Sequence, residues 1–182
     1  LFLRIRAVGE DSRFRDIKPS FIRFLMTWSL QGLWVCFSLA AALAAITAQT
    51  KINLDLWALS GALVWIFGFV IEALADQQKN QFRKQKNKPL PFIHTGLWSW
   101  SRHPNYFGEI VLWMGIAMIA YPVLQGWQLF TLISPVFITV LLTRISGVPM
   151  LEDAADKKWG GQSEYEAYKA RTSVLVLWPP KN

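Results

Sequence analysis

The chain has few of the residues that build disulfides and zinc sites. Its 182 residues include one cysteine and two histidines. A lone cysteine, Cys36, excludes an intramolecular disulfide. Structural zinc sites need clusters of cysteine and histidine, so the sequence predicts no metal centre.

Several common catalytic signatures are also missing. There is no G-x-G-x-x-G, Walker, G-x-S-x-G or H-E-x-x-H segment. A soluble dinucleotide-binding fold, an esterase and a zinc protease are therefore not predicted. Charge is scarce as well, with 17% charged against 53% hydrophobic residues, which is too apolar for an ordinary soluble domain.

The apolar residues gather in four runs that are nearly free of charge, at 24–48, 56–71, 107–124 and 127–142. About 20 helical residues cross the hydrocarbon layer of a bilayer. The sequence predicts an all-α, polytopic transmembrane helix bundle with four spans. The second helix should outlast the membrane, with polar helix formers at 76–86, until the segment 87–91 with its two prolines ends it, and Pro104 should begin the third. Short interfacial helices are expected near 150–159 and up to Arg171.

The basic residues alternate with these runs. They form three clusters, at 4–23, 79–102 and 144–181, and Lys51 alone lies outside them. With four spans, 18 of the 19 basic residues share one face, as the positive-inside rule predicts for the cytoplasmic side. The loops at 49–55 and 121–125 should face the other side. The net charge of +7 therefore indicates topology, and no nucleic-acid partner is predicted.

One face of the second helix is polar at its end. Glu72, Asp76, Lys79 or Asn80, and Arg83 follow one another at steps of three and four. Carboxylates accept bonds from hydroxyls, and arginine binds phosphate in a bidentate manner, which suits a nucleotide. A solvated helix end with salt bridges is the alternative. It does not explain Glu72, because a carboxylate at membrane depth is costly and usually functional.

The most distinctive stretch runs from residue 100 to residue 109. Asn105 and Glu109 are one helical turn apart, so both can face one cavity. Arg102 and His103 precede the helix start, where backbone N–H groups favour an anion. An interfacial aromatic belt would explain Trp98, Trp100 and Arg102 without any site, but it would not explain Glu109.

The chain after the fourth run offers weaker signals. Arg144 is either a topology anchor or a site residue. Ser163 and Glu166 resemble a capping box. Tyr165, Tyr168 and Arg171 could fold back over the site, and the tail at 174–180 is expected to be extended against the membrane surface.

The run Ser101-Arg102-His103-Pro104-Asn105-Tyr106-Phe107-Gly108-Glu109, with Thr95-Gly96-Leu97-Trp98 before it, resembles the signature of the steroid 5-alpha-reductase family, especially its poorly characterised bacterial branch. The likeness extends over the loop at 9–14, the second helix, Arg144 and the segment 165–179. It implies a seven-span reductase that binds NADPH from the cytoplasmic side, here expected in a bacterial inner membrane. Residues 1–182 would form one transmembrane reductase domain holding the last four spans, with further spans upstream.

The resemblance also implies roles for individual residues. Cofactor-binding positions of the steroid reductases are matched by Asp76, Arg83, Asn105 and Arg144. Those of the sterol reductases are matched by Arg102 and His103. The predicted cofactor site also includes Glu72 and Lys84 of the second helix. Glu109 matches the acid that orients and polarises the substrate carbonyl, and Tyr106 is the nearest phenol. Glu72, Val148 and Glu152 depart from the steroid enzymes, which have an amide, a histidine and a tyrosine there.

The implied chemistry is hydride delivery from NADPH to an enone of a steroid-like or other lipid. Charge then builds on the carbonyl oxygen, which needs a hydrogen-bond donor.

A rival is a methyltransferase resembling the isoprenylcysteine carboxyl methyltransferases, which share the Arg-His-Pro-x-Tyr-x-Gly run and use S-adenosylmethionine. Those enzymes have paired glutamates where 147–152 has only Glu152. A lipid-binding or scaffolding protein is the other rival. No obligatory protein partner is predicted.

Overall fold

A computed structural model describes residues 19–50 and 54–180. The loop at 9–14, Lys51 and the other residues of 1–18, 51–53 and 181–182 lie outside the described residues. Within these ranges the chain is helical and has no strand, as predicted. The main helices are α1 (Phe21–Thr47), α2 (Leu56–Lys84), α3 (Pro104–Ala120), α4 (Ser134–Val140), α5 (Val148–Trp159) and α6 (Ser163–Arg171).

Four helical segments are long and apolar enough to cross a membrane. They are Phe21–Thr47, Leu56–Lys84, Pro104–Val123 and Gly126–Trp159. The predicted polytopic, all-α fold is confirmed, and the protein is an integral membrane protein. The part of α1 up to Leu39 forms a unit by itself, and apolar side chains such as Phe21 and Leu25 are exposed there.

Helices α2 and α3 are antiparallel and pack through glycines. A Cβ added to Gly68 would lie 2.6 Å from the carbonyl oxygen of Gly108, and one added to Gly115 would lie 2.7 Å from that of Gly61. Both distances are shorter than any real contact, so the two backbones touch. Small residues allow this approach between helices in a membrane. We call this contact the glycine seam.

The loops at the far ends of these helices meet, as the topology predicts. The rings of Trp57 and Tyr121 are 5.2 Å apart, and the Gln125 amide donates to the Thr50 hydroxyl over 3.4 Å. The opposite ends of α2 and α3 therefore lie on one side together with α5 and α6. We call this side the basic side.

The fourth span is less regular than predicted. It begins as a 3₁₀ helix over Gly126–Ile133, continues as α4 and ends in a π-helical turn over Leu141–Ile145. The α-helical part starts at Ser134, and Pro135 occupies its first turn, where proline costs no hydrogen bond. The span therefore changes helix type next to this proline.

The two short C-terminal helices are present, but the predicted capping box at Ser163 is wrong. Gln162 is the N-cap residue of α6, and its side chain makes no capping bond. The Ser163 hydroxyl donates to the Glu164 carboxylate, while the Glu166 carboxylate accepts from the backbone N–H of Gly161 at 3.1 Å. Gly161 has φ of 81°, a conformation that glycine adopts without strain.

Candidate functional site

The segment before α3 is held between α2 and the C-terminal helices. The Gln78 side chain accepts from the Leu97 backbone N–H at 3.0 Å. The Trp98 indole donates to the Ala75 carbonyl at 3.0 Å, and the Tyr168 hydroxyl donates to the Trp98 carbonyl at 2.7 Å. Trp98 therefore links α2 to α6, although these helices are far apart in the sequence.

Three charged or titratable side chains form a network at the start of α3. The Arg102 guanidinium pairs with Glu152 at 2.9 Å, and the His103 ring lies 2.8 Å from the other oxygen of the same carboxylate. Arg102 also donates to the Lys169 carbonyl at 3.2 Å. His103 is 5% exposed. Glu152 therefore fixes both side chains that precede α3.

A cavity of about 320 Å³ opens beside this network. Its cationic lining consists of Lys79 and Arg83 from α2, Arg102, and Lys158 from α5. Glu152 is the carboxylate among the lining residues. The volume is that of a small-molecule site, and the surplus of positive charge favours an anionic ligand. We call it the basic cavity.

Aromatic rings form the opposite wall of the basic cavity. Phe92 packs against Trp159, Tyr165 and Tyr168, with ring centroids 5.3 to 5.7 Å apart. Burial raises the pKa of Tyr168 above its ordinary value, and burial together with the bond to Asp156 raises the pKa of Tyr165. Both phenols therefore stay neutral at physiological pH, and the wall is apolar and uncharged.

The carboxylates of the spans form a second group, which we call the acid cluster: Glu72 and Asp76 of α2 with Tyr106 and Glu109 of α3. A Cβ on Gly108 would lie 2.6 Å from the Glu72 backbone nitrogen, so the glycine seam brings the two helices together here. Glu72, Asp76 and Glu109 are close enough for their charges to interact. The Tyr106 hydroxyl is also close enough to Glu109 and Asp76 for their charges to act on it.

His103 connects the two groups. It lines the basic cavity, and its ring stacks on Tyr106 with centroids 5.7 Å apart and planes 10° apart. A side chain that contacts the acid cluster therefore also faces the cavity.

The predicted site residues fall into three sets. Arg83, Arg102 and His103 line the basic cavity, and Glu72, Asp76, Tyr106 and Glu109 form the acid cluster. Lys84 is exposed beside Arg83, Asn105 is half-buried beside Tyr106, and Arg144 is exposed on the π-helical turn. These last three are not among the residues that line the cavity. The functional roles of all ten remain predictions.

The C-terminal chain folds back as predicted for Tyr165 and Tyr168, which line the basic cavity, but not for Arg171, which does not. The sequence did not indicate Glu152 as the partner of Arg102. Forty-nine residues separate Glu152 from His103, so no local spacing could show that they meet. Lys158 and Phe92 were also missed, because each contributes through tertiary packing.

Comparison with known proteins gives relatives of modest identity. An uncharacterised protein of Schizosaccharomyces pombe is 27% identical over 150 residues, which cover 67% of this chain and 44% of that protein. The 3-oxo-5-alpha-steroid 4-dehydrogenase 1 of Rattus norvegicus is 35% identical over 88 residues, 47% of this chain and 31% of the relative. The Delta(14)-sterol reductase of Arabidopsis thaliana is 23% identical over 140 residues, 69% of this chain and 35% of the relative.

The chain thus spans less than half the length of these relatives. No solved structure matches it. A family model described as "Protein of unknown function (DUF1295)" matches residues 1–172. The predicted resemblance is confirmed at the level of family, since the curated relatives include steroid and sterol reductases. The chain belongs to the DUF1295 family, which is related to the steroid 5-alpha-reductases.

Proposed function

We propose that this protein is a membrane-embedded, NADPH-dependent reductase that delivers hydride to an activated C=C bond of a steroid-like or other lipid. The observation that carries the proposal is the basic cavity, which opens beside the acid cluster and is joined to it by His103. Two relatives are named as a steroid dehydrogenase and a sterol reductase, which supports redox chemistry on a lipid.

The lining of the basic cavity fits a phosphorylated cofactor. Arginine and lysine bind phosphate through charge-assisted hydrogen bonds. The Arg102 Nε is buried and has no hydrogen-bond partner among the described residues, so a donor is left for an acceptor. The phosphates would be held by Arg83, Arg102, Lys79 and Lys158. The aromatic wall would cover the apolar parts of the cofactor. His103 would lie between the cofactor and the substrate region.

The same lining favours NADPH over S-adenosylmethionine. The sulfonium of the methyl donor is a cation, and a cavity lined by four cationic side chains and one carboxylate repels it. Phosphates gain from the same field. The charge of the cavity therefore supports the reductase against the methyltransferase.

When bound, NADPH supplies the hydride. The acid cluster would act on the substrate: Glu109 orients and polarises the carbonyl oxygen, directly or through the Tyr106 hydroxyl, where charge develops. Asp76 and Glu72 would accept hydrogen bonds from hydroxyls of the cofactor, and Asn105, Lys84 and Arg144 would complete the site. The basic side would face the cytoplasm of a bacterial inner membrane, where NADPH is available.

A titration of purified protein in detergent tests the cofactor. We expect NADPH to bind and Arg83→Ala to weaken binding about tenfold, because one phosphate contact is lost. Lys86→Ala is the matched control: it removes one exposed positive charge after α2 that does not line the cavity, and it should change affinity less than twofold. Binding of S-adenosylmethionine without NADPH would overturn the proposal.

A second measurement tests the acid cluster. Glu109→Gln should retain NADPH affinity but lose at least a hundredfold in NADPH oxidation with a steroid enone, because the group that polarises the carbonyl is removed. The change is isosteric, so the fold should persist. Full turnover by this variant would exclude Glu109 from the chemistry.

A further inference from the structure

A second cleft, of about 340 Å³, lies on the basic side between the C-terminal end of α6 and the tail that follows it. Its polar lining includes Arg102, Lys169, Arg171 and Thr172, and Val174 and Trp178 border it. We call it the tail cleft. No role in the proposed reduction requires it.

One buried donor in the lining of the tail cleft has no partner among the described residues. Thr172 is 5% exposed, and its hydroxyl makes no hydrogen bond to any residue in 19–50 or 54–180. Arg102 also lines the basic cavity, and its two terminal nitrogens bond Glu152 and the Lys169 carbonyl. A buried donor without an acceptor is destabilising, so the cleft is suited to a ligand that supplies acceptor oxygens.

The cleft also carries an available positive charge. The Lys169 ammonium is bound to Asp156 at 2.6 Å. Arg171 is exposed and forms no ion pair with another described residue. An arginine without a counter-ion among the described residues, next to an unpartnered buried hydroxyl, favours an anion with several oxygens, such as a phosphate.

The tail places this phosphate site against a lipid surface. Residues 174–176 form bends, in place of the extended tail that the sequence predicts. Exposure nevertheless alternates along 174–178: Leu175 packs towards the core, while Val174, Val176 and Trp178 are 42%, 52% and 65% exposed. The Trp178 backbone N–H donates to the Trp100 carbonyl, and Trp100 lies four residues before Pro104, where a span begins. Exposed tryptophan beside the end of a span is typical of the membrane interface.

We propose that the tail cleft binds the phosphate of an anionic phospholipid, with Arg171 and Thr172 as its donors and the exposed face of the tail lying among the lipid chains. A soluble phosphate compound would gain from the donors but would leave Val176 and Trp178 in water. A zwitterionic lipid would cover the apolar face but would bring a cation towards Arg171. The combination of features selects an anionic lipid.

Native mass spectrometry of the detergent-purified protein tests this proposal. Phosphatidylglycerol, phosphatidylcholine and glycerol 3-phosphate are added in separate titrations. Phosphatidylglycerol should be retained more strongly than the other two. Arg171→Ala should weaken its retention about fivefold, as expected for one basic residue at an anionic membrane surface, and Arg171→Lys should restore part of the loss.

Lys86→Ala is the control for net charge, since it removes one exposed positive charge outside the cleft. It should change retention less than twofold. An equal loss in Lys86→Ala, or equal retention of phosphatidylglycerol and phosphatidylcholine, would overturn the proposal. Glycerol 3-phosphate binding as tightly as the lipid would identify a soluble anion instead. All three outcomes can be read without any measurement of NADPH binding.

Discussion

The basic cavity and the acid cluster are neighbours, but they are built in different ways. Side-chain bonds hold the cavity: Arg102 and His103 share Glu152, and Trp98 is bonded on both sides. In the acid cluster, Glu72 and Glu109 form no hydrogen bond or ion pair with any other described residue. The backbone contact of the glycine seam brings the two helices that carry them together.

This difference indicates a difference in role. Paired charges are costly to disturb, which suits the basic cavity to the role of a fixed cofactor site in the proposed function. Carboxylates at membrane depth without a partner are expensive and are usually kept for function. In the proposed function, the acid cluster would keep its polar atoms free for the cofactor and the substrate. Substitutions that remove one of these contacts at a time should distinguish how the basic cavity and the acid cluster are held.

The largest effect is expected from the glycine seam. Gly68→Ala places a methyl group 2.6 Å from the Gly108 carbonyl oxygen, so the helices must separate. We expect a loss of about 3 kcal/mol in the free energy of unfolding, together with loss of turnover. Thermal or denaturant unfolding in detergent measures it.

The control for this prediction is Gly32→Ala in α1, where an added Cβ meets no described atom within 4 Å. Its better helix propensity should leave stability unchanged or slightly raised. Similar unfolding midpoints for the two variants would contradict close backbone contact between α2 and α3.

A smaller effect is expected from the network of the basic cavity. Glu152→Ala leaves Arg102 and His103 without their shared acceptor, and the side chain of Arg102 is only 12% exposed. We expect a loss of about 2 kcal/mol in unfolding free energy. Asp153→Ala removes the next carboxylate, whose pair with Lys157 is 64% and 75% exposed, and should cost less than about 0.5 kcal/mol. Equal losses would mean that the network contributes no more than a surface pair.

The smallest effect is expected from the contact between α6 and Trp98. Tyr168→Phe removes the bond to the Trp98 carbonyl, which we expect to cost about 1 kcal/mol. Because burial raises the pKa of Tyr168, the hydroxyl stabilises the fold fully below about pH 10, the pKa of an exposed phenol, and this stabilisation is lost as pH rises towards the folded value.

The stability difference between Tyr168→Phe and the unmodified protein should therefore shrink above pH 10. A set of unfolding measurements between pH 8 and pH 11 in one detergent measures this. A difference that stays constant over this range would show that the phenol is not protected by burial.

Much of this architecture is predictable from the sequence, because spans and charge bias are properties of continuous segments. The four runs, the extension of α2 beyond the membrane and the start of α3 at Pro104 follow from apolar length and proline chemistry, while α2 ends at Lys84, just before the predicted segment 87–91. The polar face of α2 follows from helical period. The pairing of Glu152 with Arg102 does not, since it depends on how the turn after the fourth span is directed. The change of helix type at Ser134 is a further detail that apolar length alone does not reveal.

The contact between α2 and α3 also limits how the protein can move. Because the two backbones touch, sliding one helix by one residue would drive a neighbouring Cβ into the opposite carbonyl. We therefore expect the two helices to move as one rigid body. Glu72 and Glu109, one on each helix, then keep a fixed separation whatever enters between them and the rest of the bundle. The fourth span packs on the same pair through Ile138 and Leu142, and we expect it to deform more readily than α2 and α3, because its 3₁₀ and π-helical turns interrupt regular α-helical bonding.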